Sequence, residues 1–362
     1  MTREDRAADW PQHGHDAMNT SRGGIHWPGY ASPPKPVRRL ADAESPPIVV
    51  GDVAAYVSLD YTLNVCDHRT GQPQWDTRLL QGERGLDVQT TPAVAGDVLC
   101  ATSPGWVTGF RLSTGDPIWE LSVDPVVSDT PSVVDRTVFV AGGENSFLAC
   151  DATTGKIRWE RQLTRDEFRG VGAGTAVADG TVFIPCTDGL IYGIDAATGK
   201  RNLQWPAVIG DDPFLPICID GDVVVACSND RLYGIDVPTG ERRWRRRLEE
   251  TVNGLALGDG SVVASTRSSV CAVTVGDGRV RWQTRLKGTL GEPSVAGDVV
   301  VVPSGFPHRL HAVSLPTGRR LWEVPLTSEP SCAAVIAGDS LLITADGNIE
   351  VFAFDQPAQA RR

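Results

Sequence analysis

The strongest constraint on this chain is a phrase that it repeats. Residues 190–200 read LIYGIDAATGK and residues 231–244 read RLYGIDVPTGERRW. The Thr-Gly pair, or its equivalent, recurs at Thr70-Gly71, Thr114-Gly115, Thr154-Gly155, Thr198-Gly199, Thr239-Gly240, Asp277-Gly278 and Thr317-Gly318. A Trp follows that Gly by four residues in six of the seven copies, as Trp75, Trp119, Trp159, Trp244, Trp282 and Trp322. The fourth copy is longer by two and carries Trp205. The alternating run predicts a half-buried strand that enters a tight turn. The Gly supplies the positive φ such a turn needs, and the Trp is large enough to fasten one sheet to its neighbour. The spacing of about 40 residues is the period of a four-stranded propeller blade.

An eighth copy runs from Glu329-Pro330 to Asp355, without a Thr-Gly or a Trp. Its missing outer strand has a candidate at the other end of the chain, Val37–Leu40. The expectation is an all-β, eight-bladed β-propeller of four-stranded antiparallel blades, the last closed by an N-terminal strand. Closure removes free sheet edges between blades. Residues 1–36 form a tail and lead-in, and residues 37–362 a single propeller domain.

The phrase resembles the repeat of the PQQ-like, quinoprotein alcohol dehydrogenase-like β-propeller superfamily, from about Trp10 onward. That superfamily includes quinoprotein alcohol dehydrogenases and the lipoprotein of the outer-membrane β-barrel assembly machinery, to which the architecture is most similar. The lead-in from Asp9 through Trp10, His15 and Asp16 to Thr20 resembles the segment that often precedes such propellers. The resemblance implies the fold and not PQQ binding. Quinoprotein members hold PQQ in the channel with Ca²⁺, a disulfide between neighbouring cysteines and a catalytic Asp. No two cysteines are adjacent here, so no cofactor residue carries over, and neither PQQ nor Ca²⁺ is expected.

Charge and cysteines narrow the classes further. A net charge of −11 argues against nonspecific nucleic-acid binding. The N-terminus is charged and has no apolar signal region, and no stretch reads as a transmembrane segment, so a cytoplasmic, non-inserted monomer is expected. The eight cysteines sit in apolar strand runs and read as buried thiols that behave as small hydrophobes. The absence of C-x-x-C leaves a structural zinc site without support. His13, His15 and Asp16 are metal ligands by type. The reading adopted is a folded lead-in whose Trp10 packs on the ring and whose polar groups cap turns.

Strands alternate in direction, which divides the loops into two faces. Turns joining strands 1–2 and 3–4 share the monotonous Thr-Gly face. The 2–3 loops and the connections between blades share a variable face, where a rigid ring would place specificity. Candidate interaction residues there are Tyr61, Trp106, Phe306 and His308 from the 2–3 loops. From the connections come Arg84, Asp87, Arg169, Asp211, Asp212, Glu250 and Glu292. Carboxylates outnumber bases, so the channel mouth should be acidic. The function expected is a non-catalytic platform for a protein partner or ligand. The alternative is a PQQ-independent cyclase, lyase or hydrolase working at that mouth. No spacing of residues points to a catalytic or metal site.

Overall fold

The computed structural model describes residues 12, 16, 22–23, 32–80, 90–123, 130–141, 146–163, 174–186, 188–202, 205, 207–208 and 217–354. The alternating runs fold into eight antiparallel sheets, one per repeat. Blade 1 consists of Ile48–Val50, Val53–Val57, Thr62–Asp67 and Pro73–Arg78, from the inside out. Blades 2 to 7 repeat this order. They begin at Ala93–Ala95, Ser132–Val134, Ala176–Ala178, Cys218–Asp220, Val252–Gly258 and Ser294–Ala296. Blade 8 is Val335–Ala337, Ser340–Ala345 and Asn348–Ala353, and its outer strand is Lys35–Ala41. The inner strands of blades 8 and 1 meet, which closes the ring.

Second strands lie between two neighbouring sheets and are mostly apolar, with buried Ser or Thr at some positions. Val223–Ser228, for example, is buried at every residue. The core is therefore a set of layers between blades. One cluster joins Val98, Cys100 and Val107 of blade 2 to Val138, Val140 and Leu148 of blade 3. Another spans the closure, with Trp322 of blade 7, Leu342 and Phe352 of blade 8, Leu40 of the closing strand and Tyr56 of blade 1.

The repeated Trp works as the phrase implies. Its indole N–H donates to the next blade, to the carbonyl that follows the repeat's Asp position. The distances are 2.8 Å for Trp75 to Leu112, 2.8 Å for Trp119 to Ala152 and 2.6 Å for Trp282 to Leu315. Its ring covers the next blade's Thr-Gly glycine, where φ lies between +68° and +77° in all seven turns. A Cβ on Gly115 would come within 2.7 Å of the Trp75 ring. The Asp four residues before that Gly is turn chemistry: Asp67 Oδ1 accepts from the backbone N–H groups of Arg69 at 2.9 Å and Thr70 at 2.7 Å.

The closing strand departs from this rule. By register Arg38 occupies the Trp slot, opposite Val351. Arg38 Nη1 and Leu40 Cδ2, in place of an indole, lie over Gly71. Arg38 Nε and, in blade 1, His68 Nδ1 are buried without a hydrogen bond.

All eight cysteines are free, and seven are buried. Burial pushes the Cys227 and Cys271 thiols up to about 12. Cys332 differs from the expectation in lying on a half-buried bend outside a strand.

Candidate functional site

The variable face is built where 2–3 turns meet the connections between blades. A recurring hydrogen bond joins them: the residue after the outer strand donates its N–H to the 2–3 turn of its own blade. Leu79 donates to Tyr61 O at 2.9 Å, Val123 to Gly105 O at 3.0 Å, Leu248 to Asp230 O at 2.7 Å and Leu326 to His308 O at 3.0 Å. The face is thus a rigid frame, and what varies is the side chain that each turn presents.

Phe306 is 86% exposed and its ring meets His308 edge-on, with centroids 6.3 Å apart. His308 is half-buried. Tyr61 adopts φ +62° and packs against the core layer between blades 1 and 2; its neighbour Leu59, 72% exposed, is the side chain this turn presents. Trp106 is half-buried and opens the third strand of blade 2, opposite Ser103 and Ser122. Glu250 is engaged within its own blade. Its carboxylate accepts from Thr266 Oγ1 at 2.7 Å and from Ser268 N and Oγ at 2.9 Å. These bonds, Thr266 first, hold it below the usual carboxylate range. Glu292 is half-buried against Gly254, and its charge reaches Cys227 and Cys332 in blades 5 and 8. Arg84, Asp87, Arg169, Asp211 and Asp212 lie outside the described residues, as do Trp10, His13 and His15.

A groove of about 430 Å³ opens on this face over the closure seam. Asp42, Ala43 and Glu44 from the connection after the closing strand line it, with Ser58, Leu59, Asp60, Thr62 and Asn64 of blade 1 and Gly347 of blade 8. Its three charged residues are all acidic. Asp60 accepts from Ser58 Oγ at 2.6 Å and Thr62 N at 3.2 Å, and its carboxyl is held below the ordinary range, Ser58 contributing most. Leu59 stands at the edge of an anionic groove. Sequence reasoning missed this groove because its walls come from residues 42–64 and 347, which only ring closure brings together. The available signal was Leu59 itself, an apolar residue in a turn that is Asp-Gly in other copies.

The channel is partly lined by the chain's own lead-in. Gln12 is buried, and its Oε1 accepts from Val133 N of blade 3 at 2.7 Å. Asp16 lies close enough to Cys218 of blade 5 for its charge to act on that thiol. Arg22–Gly23 pairs in parallel with Val295 and Ala296, as a fifth, innermost strand of blade 7. Blades 3 and 7 stand on opposite sides of an eight-membered ring. The inner edge of blade 7 is therefore already taken. Among the described residues no cluster of three or more His, Cys, Asp or Glu is placed to hold a metal ion.

One row of side chains has the composition of a nucleophilic triad. Ser304 Oγ lies 3.1 Å from His311 Nε2, and His311 Nδ1 lies 3.7 Å from Glu323 Oε2. Its geometry is structural. Ser304 is fully buried, its hydroxyl donates to Pro307 O at 2.9 Å, and His311 Nε2 also reaches Lys287 O at 3.0 Å. Burial pushes the His311 imidazole below its ordinary value. A hydroxyl without solvent access cannot meet a substrate.

The comparisons with known proteins agree with this architecture. Among curated relatives, the BamB outer membrane protein assembly factor of Bordetella pertussis is 31% identical over 125 residues, covering 34% of this chain and 31% of that protein. A cytochrome c-dependent 1-butanol dehydrogenase of Thauera butanivorans is 33% identical over 101 residues, 26% of this chain and 15% of that protein. The matches therefore span less than a third of either relative. Of solved structures, BamB of Moraxella catarrhalis superposes with a TM-score of 0.72 at 17% identity, over 91% of this chain and all of that one. The quinohemoprotein alcohol dehydrogenase of Comamonas testosteroni superposes with a TM-score of 0.79 at 13% identity, over 99% of this chain and 82% of that one. At such identities the likeness is one of fold. A family profile described as outer membrane protein assembly factor BamB matches residues 17–130, 104–251 and 205–359, so the chain belongs to this family of PQQ-like repeat propellers.

Proposed function

We propose that this protein is a non-catalytic interaction platform that grips a partner protein with its variable face. The observation that carries the reading is the exposure of Leu59 and Phe306. At 72% and 86% they are the most exposed of the large apolar side chains among the described residues. Both stand on 2–3 turns, in blades 1 and 7, on either side of blade 8. A large apolar side chain held in water on a rigid turn is suited to anchoring an interface. The acidic groove beside Leu59 adds a preference for a partner segment that combines apolar and basic residues. The description of BamB relatives as assembly factors is consistent with such a role.

The test is affinity purification of the full chain and of a Leu59→Glu/Phe306→Glu variant from the source cell. Both substitutions are at exposed positions and should leave the unfolding curve unchanged. The reading requires a stoichiometric protein partner that the variant fails to retain. Retention of the same partner by the variant, or recovery of a bound small molecule with no partner, would overturn it.

A further inference from the structure

A second surface lies away from the variable face, on the outer wall of blade 5. Its outer strand, Arg242–Arg247, reads RRWRRR. It carries five arginines and no carboxylate, in a chain whose net charge is −11. The other outer strands among the described residues carry fewer bases: Lys35–Ala41 of blade 8 has three and Val280–Arg285 of blade 6 has two, likewise without a carboxylate. Pro117–Ser122 of blade 2 carries Glu120 and no base, and Arg320–Pro325 of blade 7 has one Arg against Glu323. Charged side chains are one ordinary way to keep a sheet edge from pairing by accident, but a run of one sign also makes that edge selective for an acidic partner.

Three of the five arginines are engaged. Arg243 pairs with Asp222 and Asp236, Arg246 Nε donates to Gly278 O of blade 6 at 2.7 Å, and Arg247 Nε donates to Asp230 Oδ2 at 2.6 Å. Arg242 and Arg245 are exposed, and their side chains make no ion pair or hydrogen bond among the described residues. Arg247 remains 74% exposed in its side chain and stands directly opposite Arg231, a like-charge cross-strand pair. Trp244 and Arg246 face blade 6, so by strand alternation Arg245 and Arg247, beyond the bulge at Arg243, lie on the other side, about 6.8 Å apart. The strand is the last of its sheet, so its outer backbone groups have no strand partner.

We propose that Arg242–Arg247 is a docking strand for an acidic, extended polypeptide segment of a partner protein. The segment adds to blade 5 as a fifth strand, with carboxylates at alternate residues facing Arg245 and Arg247. The open backbone edge is what favours a polypeptide over a nucleic acid or a lipid surface. Only a strand matches a ladder of N–H and C=O groups as well as the row of charges.

The probe is a labelled acetyl-(Glu-Val)4-amide peptide, titrated into the full-length protein at low salt. Saturable binding is expected, weakened roughly tenfold or more by Arg245→Glu. Binding should also be lost when Gln replaces Glu, or when alternate peptide nitrogens are methylated. If Arg245→Glu shifts the unfolding curve, Arg242→Ser/Arg245→Ser serves in its place. The Leu59→Glu/Phe306→Glu variant should bind the peptide as the parent does, which separates this surface from the variable face. Equal binding of the methylated peptide, equal binding by the arginine variants, or no peptide binding would each overturn the proposal. So would preferential binding to phosphatidylglycerol vesicles or to a single-stranded oligonucleotide.

Discussion

Replacing the turn glycine in two blades tests how the ring is held together. Gly115→Ala and Gly71→Ala alter the same position of the repeat, with φ of +77° and +73°. An alanine in that region costs about 1 kcal/mol at either site. Beyond that the sites differ. At Gly115 the new methyl would lie 2.7 Å from Trp75 Cδ2 and Cε3, so the indole must move. The same ring donates at 2.8 Å to Leu112 O, three residues earlier in that turn. Displacing it strains a bond worth about 1 kcal/mol and adds overpacking of about 1–2 kcal/mol. The sum is about 3–4 kcal/mol. At Gly71 the nearest atom is Arg38 Nη1 at 3.2 Å, the free end of a flexible side chain, followed by Leu40 Cδ2 at 3.4 Å. Only the backbone penalty of about 1 kcal/mol should remain. The assay is urea unfolding of both variants, followed by circular dichroism and tryptophan fluorescence. Equal destabilisation, or a larger loss for Gly71→Ala, would refute the idea that the Trp ring is why glycine is required.

Two further predictions address the seam and its chemistry. Arg38→Trp should raise stability by about 1 kcal/mol: Trp75 already sits opposite a Val, Val65, as residue 38 sits opposite Val351, and the change removes a buried Nε with no partner. A lower urea midpoint for that variant would show that the seam cannot take the repeat's own solution. Asp151 is depressed to about 2, chiefly by Arg158, from an ordinary 3.8. Its folded value lies below its unfolded one, so its contribution is complete above about pH 4 and fades as pH falls toward 2. The stability gap between the parent and Asp151→Asn should therefore close over that window, and a gap constant from pH 5 to pH 2 would contradict the assignment.

The blades could be read from the chain because each fold-defining contact recurs at a fixed offset. Thr114-Gly115 and Trp119 carry the same meaning as Thr154-Gly155 and Trp159, so the pattern is its own control. Even the closing strand could be inferred, since blade 8 lacked an outer strand and Val37–Leu40 had no blade of its own. The individual site residues were less legible. Tyr61 and Leu59 stand two positions apart in one turn, yet Tyr61 packs against the core layer and Leu59 faces water. Glu250 looks in sequence like any other rim carboxylate, yet Thr266 and Ser268 engage it. Which partner a polar group finds depends on a neighbouring turn whose distance in sequence varies from copy to copy.

The amino-acid sequence by itself determined the number of blades, the order of strands and the element that closes the ring. It did so because strand alternation, a positive-φ glycine and a tryptophan one blade away are local requirements repeated about every 40 residues. Only the tertiary structure decided what lies across the ring. It set Gln12 against blade 3 and Arg22–Gly23 against blade 7, put Arg38 in a tryptophan's place, and brought Asp42, Leu59 and Gly347 together around one groove. The physical reason is that these contacts join residues far apart in the chain through closure of the ring, and no local periodicity encodes a closure made only once.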